Sequence, residues 1–164
     1  DAAAIDRLRA SAAGYRAMID STTRPNTAGI ALAELDDVHA MTDVTGFGLL
    51  GHTLEILRGS AMGGTIEHAK LPLLEGVMEL AGAGCITGAS GRNWAGYGDD
   101  VDLDEAIDAI TRAVLTDPQT SGGLLVACAP GSVEAVLDVF RRDGFMQAAE
   151  IGELEAGPAR LRVV

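Results

Sequence analysis

Apolar residues recur at helical spacing along much of this chain, and short extended runs separate those stretches. Ile5, Leu8, Ala12, Tyr15 and Ile19 predict a helix over residues 4–20, which Ser21 to Asn26 break with a proline and small polar groups. An alanine-rich stretch over 27–35 predicts a second, short helix, and residues 38–44 read as a strand entering a glycine turn. Phe47, Leu50, Leu54 and Leu57 then form one apolar stripe, with Gly59 placed to end that helix. A short strand is expected at 64–67 and a helix at 73–83, failing at Gly82-Ala83-Gly84.

Residues 84–100 carry many glycines and read as a long irregular loop, with Asn93, Trp94 and Tyr97 inside it. Those aromatics argue against disorder and suggest a loop anchored into the core, although stacking on a base is open to them. Ile107, Ile110 and Val114 predict a helix over 103–115, and a polar glycine-rich break leads to a strand at 124–128. Val133, Val136, Leu137 and Phe140 define the last helix, and strands at 148–154 and 160–164 close the chain. No internal repeat is visible. The mixed order predicts a single α/β domain, an α+β sandwich whose mixed sheet carries helices, with 1–37 as a helical lead-in and 38–164 as the main body.

Composition narrows what such a domain could do. At 164 residues and 48% hydrophobic content the chain can bury a real core. A formal charge of −12 would repel nucleic acid, so no nucleic-acid partner is expected. The same field would repel a nucleotide triphosphate unless divalent metal or outside basic groups intervene. Cys85 and Cys128 show no metal or disulfide spacing and fit a reducing cytoplasm, Cys128 as core packing; no apolar run approaches a membrane span. The start, Asp1-Ala2-Ala3-Ala4, has neither an initiator Met nor a signal-peptide pattern, so a piece of a longer protein is the simplest expectation.

Chemistry concentrates in two segments. In Met41-Thr42-Asp43-Val44-Thr45-Gly46-Phe47-Gly48-Leu49-Leu50-Gly51-His52, a strand ends in polar residues and a glycine turn opens a helix. Asp43 could hold a hard cation there while turn amides face an anion; it could equally cap backbone amides. Gly46, Gly48 and Gly51 match the dinucleotide pattern GxGxxG with Glu67 downstream, but Thr42, Asp43 and Thr45 place polar atoms and a charge where pyrophosphate would lie. Glycines that simply permit a tight turn and close helix packing remain the alternative. The second segment, residues 117–123, offers Asp117, Gln119, Thr120, Ser121 and flexible amides at Gly122 and Gly123, and two such loops suggest one cleft. An ordinary helix-to-strand connection, stopped by Pro118, would also account for it. His39, His52 and His68 share no ligand spacing and read as surface or satisfied core histidines, and neither Ser90 nor Ser121 sits in a nucleophile elbow.

These two segments resemble the carboxy-terminal half of the selenophosphate synthetase family, as do Pro25-Asn26-Thr27-Ala28-Gly29, Leu71-Pro72, Gly91-Arg92-Asn93 and Ile151-Gly152-Glu153. The resemblance covers nearly the whole chain. It implies a fold like the carboxy-terminal domain of aminoimidazole ribonucleotide synthetase. It also implies a reaction in which ATP, selenide and water give selenophosphate, AMP and phosphate, with Mg2+ and usually a monovalent cation. It maps a magnesium ligand onto Asp43. Thr120, Ser121, Gly122, Gly123 and Asn93 become the candidates for holding nucleotide or phosphate.

The family's catalytic Cys or selenocysteine, its Lys and its other aspartates belong to an amino-terminal domain with no counterpart in this chain, so no catalytic residue is expected here. Cys85 and Cys128 do not take that role. The expected partners are the protein's own amino-terminal domain and, through it, a second copy in a homodimer. Ile86-Thr87-Gly88-Ala89-Ser90-Gly91 departs from a Pro-Gly-Gly-like pattern of the family, while Asn93 matches. Two rivals stay open: another ATP-dependent enzyme of the same superfamily, and a non-catalytic module that binds nucleotide or protein.

Overall fold

The computed structural model describes residues 12–164, so the part of the first expected helix before Ala12 lies outside the described residues. Helix α1 (Ala12–Thr22) and the short α2 (Ala28–Leu32) lead into strand β1 (Val38–Asp43). Then come α3 (Gly48–Ser60), β2 (Met62–Ile66), α4 (Val77–Gly82), α5 (Gly88–Tyr97) and β3 (Val101–Leu103). The chain closes with α6 (Ala109–Leu115), β4 (Leu124–Cys128), α7 (Val133–Arg142), β5 (Gly152–Ala156) and β6 (Leu161–Val163).

The strands form two sheets, the expected mixed sheet and a separate antiparallel pair. β1 and β4 form an antiparallel pair, with Asp43 opposite Leu124 and a register shift between Val38 and Ala40. The other sheet runs β3-β6-β2-β5, parallel at β3-β6 and β6-β2 and antiparallel at β2-β5. Each sheet has its own core. Leu50, Leu54 and Leu57 of α3 are fully buried against Ile66, Val101, Leu161 and Val163 of the four-stranded sheet. Ala28 and Leu32 of α2 pack with Val136 and Val139 of α7 over Met41, Leu124 and Val126 of the pair. The mixed α/β class is as expected, and the 3.6-residue stripe on α3 is the reason it seats on the sheet.

Local differences have local causes. The stretch expected to be irregular is largely α5: Thr87 caps it by accepting the Ser90 N–H (3.2 Å), and Ser90, Asn93, Trp94 and Tyr97 share one face at spacings of three and four. Its glycines hide the pattern because they lower intrinsic helix propensity. The helix expected over 103–115 starts only at Ala109, where Asp108 accepts the Thr111 N–H at 2.7 Å; Leu103 instead ends β3, and a turn lies between the two elements. α3 runs past Gly59 and stops at Ala61, which takes the left-handed conformation usually left to glycine (φ 51°). Among the described residues no helix is long and apolar enough to cross a membrane.

Candidate functional site

The two chemistry-bearing segments meet where β1 and β4 part. The antiparallel register sets Asp43 against Leu124, so the turn after β1 and the loop before β4 leave the ladder side by side. Backbone bonds continue the seam beyond the strands: Val44 N–H donates to the Gly123 carbonyl (2.9 Å), and Gln119 N–H to the Thr45 carbonyl (3.0 Å). The one cleft expected from two loops is therefore a shared rim.

Other backbone stands in the way of a side chain at two glycines of this seam, and side chains stand in the way at a third. A Cβ on Gly122 would lie 1.4 Å from the Val44 carbonyl oxygen. A Cβ on Gly48, whose φ is +68°, would lie 2.6 Å from the Thr116 carbonyl carbon, and one on Gly51 would lie 2.9 Å from Tyr97 Cε1. Gly46 alone of the GxGxxG set faces open space. Packing thus accounts for Gly48 and Gly51. The dinucleotide reading also fails on topology, because β1 and β2, which flank α3, lie in different sheets and no parallel βαβ unit exists there.

Helix α5 holds both segments from one side. Asn93 Nδ2 donates to the carbonyls of Gly46 and Thr116, each at 3.0 Å, so both of its N–H groups are used and Oδ1 is the atom left to meet a ligand. Tyr97 donates its hydroxyl to the Phe47 carbonyl at 2.7 Å; burial pushes that phenol up to about 12, so it remains a donor. Ser90 Oγ bonds the Ala113 carbonyl (2.9 Å) and Thr116 Oγ1 (2.7 Å). Thr87 Oγ1 donates to Asp117 Oδ1 at 2.8 Å, and partial burial raises the Asp117 carboxyl above the usual range. Asp117 is thereby turned toward α5.

These contacts identify what is committed to structure and what faces outward. Ser121 Oγ reaches the Thr22 carbonyl (3.3 Å), Gln119 Nε2 the Asp117 carbonyl (2.9 Å), and Asn26 Nδ2 the Gly122 carbonyl (2.9 Å). Among the described residues, no partner accepts from the backbone N–H groups of Thr120, Ser121, Gly122 and Gly123, and none donates to the exposed Asp43 carboxylate. Successive backbone amides left unpaired are groups that can donate to an oxyanion where they converge. No cluster of three or more His, Cys, Asp or Glu side chains exists among the described residues. Asp43 could therefore contribute one oxygen ligand to a magnesium ion, a metal that commonly takes only one or two carboxylates beside water and phosphate oxygens.

Sequence reasoning did not assign the roles of Asn26, Ser90 and Tyr97 as tethers of the two segments, and it read His52 as a surface or satisfied core residue. The imidazole is indeed buried and satisfied, with Nδ1 2.8 Å from Glu55 Oε2. Removing the Asn93 clamp gives a direct check. Asn93→Ala is expected to cost about 1–3 kcal/mol, two hydrogen bonds' worth, in urea unfolding of the full-length protein. Asn93→Asp should cost at least as much, because it sets a carboxylate against two carbonyl oxygens. Equal stability of the Asp variant and the native protein would remove the clamp.

The chain is 56% identical over 98% of its length to a protein of Burkholderia pseudomallei (strain K96243) named selenide, water dikinase. It is 55% identical over 99% to one of the same name from Paraburkholderia xenovorans (strain LB400), and 57% identical over 92% to one from Pseudomonas straminea. The chain spans 46%, 46% and 42% of the lengths of these relatives, so each has a further part with no counterpart here. The family described as "AIR synthase related protein, C-terminal domain" matches residues 8–164, nearly the whole chain, and the chain belongs to that family.

Proposed function

We propose that this chain is the carboxy-terminal domain of an ATP-dependent selenophosphate synthetase, a selenide, water dikinase that converts ATP, selenide and water to selenophosphate, AMP and phosphate. The observation that carries the reading is the juxtaposition of an unpartnered Asp43 carboxylate with four consecutive unpaired amides at residues 120–123. The names of relatives at 56% and 55% identity support the reaction class.

Asp43 would supply one oxygen to Mg2+, which when bound offsets charge on the ATP phosphates. The rest of the work falls to neutral groups of this chain. The amides of Thr120, Ser121, Gly122 and Gly123 and the Thr120 hydroxyl face a phosphate, and Asn93 Oδ1 is free for the nucleotide. The seam between the turns fixes these donors before the ligand arrives, which limits reorganisation during reaction. The protein's own amino-terminal domain would complete the cleft and bring the catalytic residues, with assembly as a homodimer, a monovalent cation, and a cytoplasmic setting. This chain alone would not turn over.

The test is product analysis on the full-length protein. With ATP, Mg2+ and selenide, 31P NMR is expected to show selenophosphate, orthophosphate and AMP. ATP cleavage that ignores selenide, or a phosphorylated purine precursor as the only new product, would give the chain to another enzyme of the superfamily.

A further inference from the structure

His52 is buried in the first turns of α3, one turn beyond the glycine turn that follows Asp43, and its side chain reaches back to that turn. Its Nε2 lies 3.4 Å from the Phe47 backbone nitrogen and 3.3 Å from Thr45 Oγ1, while Nδ1 lies 2.8 Å from Glu55 Oε2. An N–H can donate only to a lone pair. In this arrangement Nε2 therefore carries no proton, and the ring's single proton sits on Nδ1 and goes to Glu55. Glu55 sets the tautomer, and the tautomer sets what the turn can bond.

The turn needs such an anchor. Gly46 and Phe47 are exposed, and Asn93 and Tyr97 hold the turn from α5 only by its Gly46 and Phe47 carbonyls, which leaves the Phe47 N–H and the Thr45 hydroxyl to be held from elsewhere. From inside, the Thr45 carbonyl accepts both the Gly48 N–H (3.1 Å) and the Gln119 N–H (3.0 Å). His52 thus adds the side-chain and amide contacts that keep Thr45 and Phe47 in one orientation. Shifting Thr45 would move Val44 and Asp43 on one side and the bond to residues 117–123 on the other.

We propose that His52, oriented by Glu55, is a positioning residue for the metal and phosphate site: it holds the 45–47 turn so that Asp43 and the 120–123 amides address the same ligand. The proposal rests on the reading of the site given above. It assigns His52 no contact with substrate or metal.

The experiment compares His52→Gln, His52→Asn and Glu55→Gln in the full-length protein, reading AMP formation against Mg2+–ATP concentration together with hydrogen–deuterium exchange at the Phe47 and Gly48 amides. Gln can put an acceptor near the Nε2 position, whereas Asn reaches only as far as Nδ1. Both lose the ring, so its packing cost is common to the two. His52→Gln is expected to keep slow exchange at Phe47 and to stay within a few-fold of native activity. His52→Asn should speed that exchange and lower kcat/KM by about tenfold or more, as misplacement of a site does. Glu55→Gln, which still accepts from Nδ1–H, should resemble the native protein.

Equal impairment of the Gln and Asn variants, or unchanged exchange at Phe47 in the Asn variant, would overturn the positioning role. The exchange measurement needs no turnover. If the protein made no selenophosphate, the reaction would be wrong while His52 could still be judged on Phe47 exchange.

Discussion

Asp43→Ala in the full-length protein should abolish most of the magnesium-dependent formation of AMP while leaving the fold intact. The carboxylate is exposed, sits at the last position of β1, and accepts no hydrogen bond among the described residues, so its removal breaks nothing internal. Altering groups that merely orient metal ligands commonly costs 10- to 100-fold in affinity or activity, and losing a ligand itself is expected to cost about a hundredfold or more. The loss should appear chiefly as a higher Mg2+ requirement, measured by titrating activity with Mg2+ at fixed ATP. Asp43→Asn keeps the shape and removes the charge, and should fall close to the Ala variant. An Asp43→Ala enzyme with native Mg2+ dependence and native AMP yield would show that the metal is held without this residue.

Gly122→Ala should act in the opposite way, through structure first. The added carbon would sit 1.4 Å from the Val44 carbonyl oxygen and 2.5 Å from its carbonyl carbon, and neither is the movable end of a flexible side chain. Relief requires the two segments to separate, which breaks the bond from Val44 N–H to Gly123 and disturbs the one from Asn26 Nδ2 to Gly122. A destabilisation of about 3 kcal/mol or more is expected from chemical unfolding, together with loss of activity. Gly123→Ala is the control: nothing lies within 4 Å of the point its methyl carbon would occupy, so stability should barely change. Similar unfolding midpoints for the two variants would mean that the seam is not tightly closed.

The mixed α/β class and the meeting of the two glycine segments were legible in the sequence, while several elements between them were not. Asp43 and the two glycine segments were legible because strand polarity, turn residues and charge all act locally, and the bonds that join the segments fall where those signals lie. Helix α5 was not legible: its glycines read as a loop, and the positions that make it a helix are defined by partners at Gly46, Phe47, Ala113 and Thr116, distant in sequence. β3 was lost for a related reason. Three residues make no periodic signal, and Val101 to Leu103 become a strand only because β6 pairs with them in parallel. His52 had a local cue in Glu55 three residues on, but spacing alone does not say that the other ring nitrogen points back at the turn.

Three of the α5 tethers, from Ser90, Asn93 and Tyr97, end on main-chain oxygens of Ala113, Gly46, Thr116 and Phe47. Main-chain oxygens are indifferent to which residue carries them. Substitutions on the receiving side can therefore accumulate without disturbing the bracket, whereas a one-residue slip of α5 would rotate its bonding face by about 100° and misalign all of the tethers together. Sequences descended from a common ancestor with this chain should accordingly tolerate replacements at 46 and 113 far better than an insertion or deletion within 88–97.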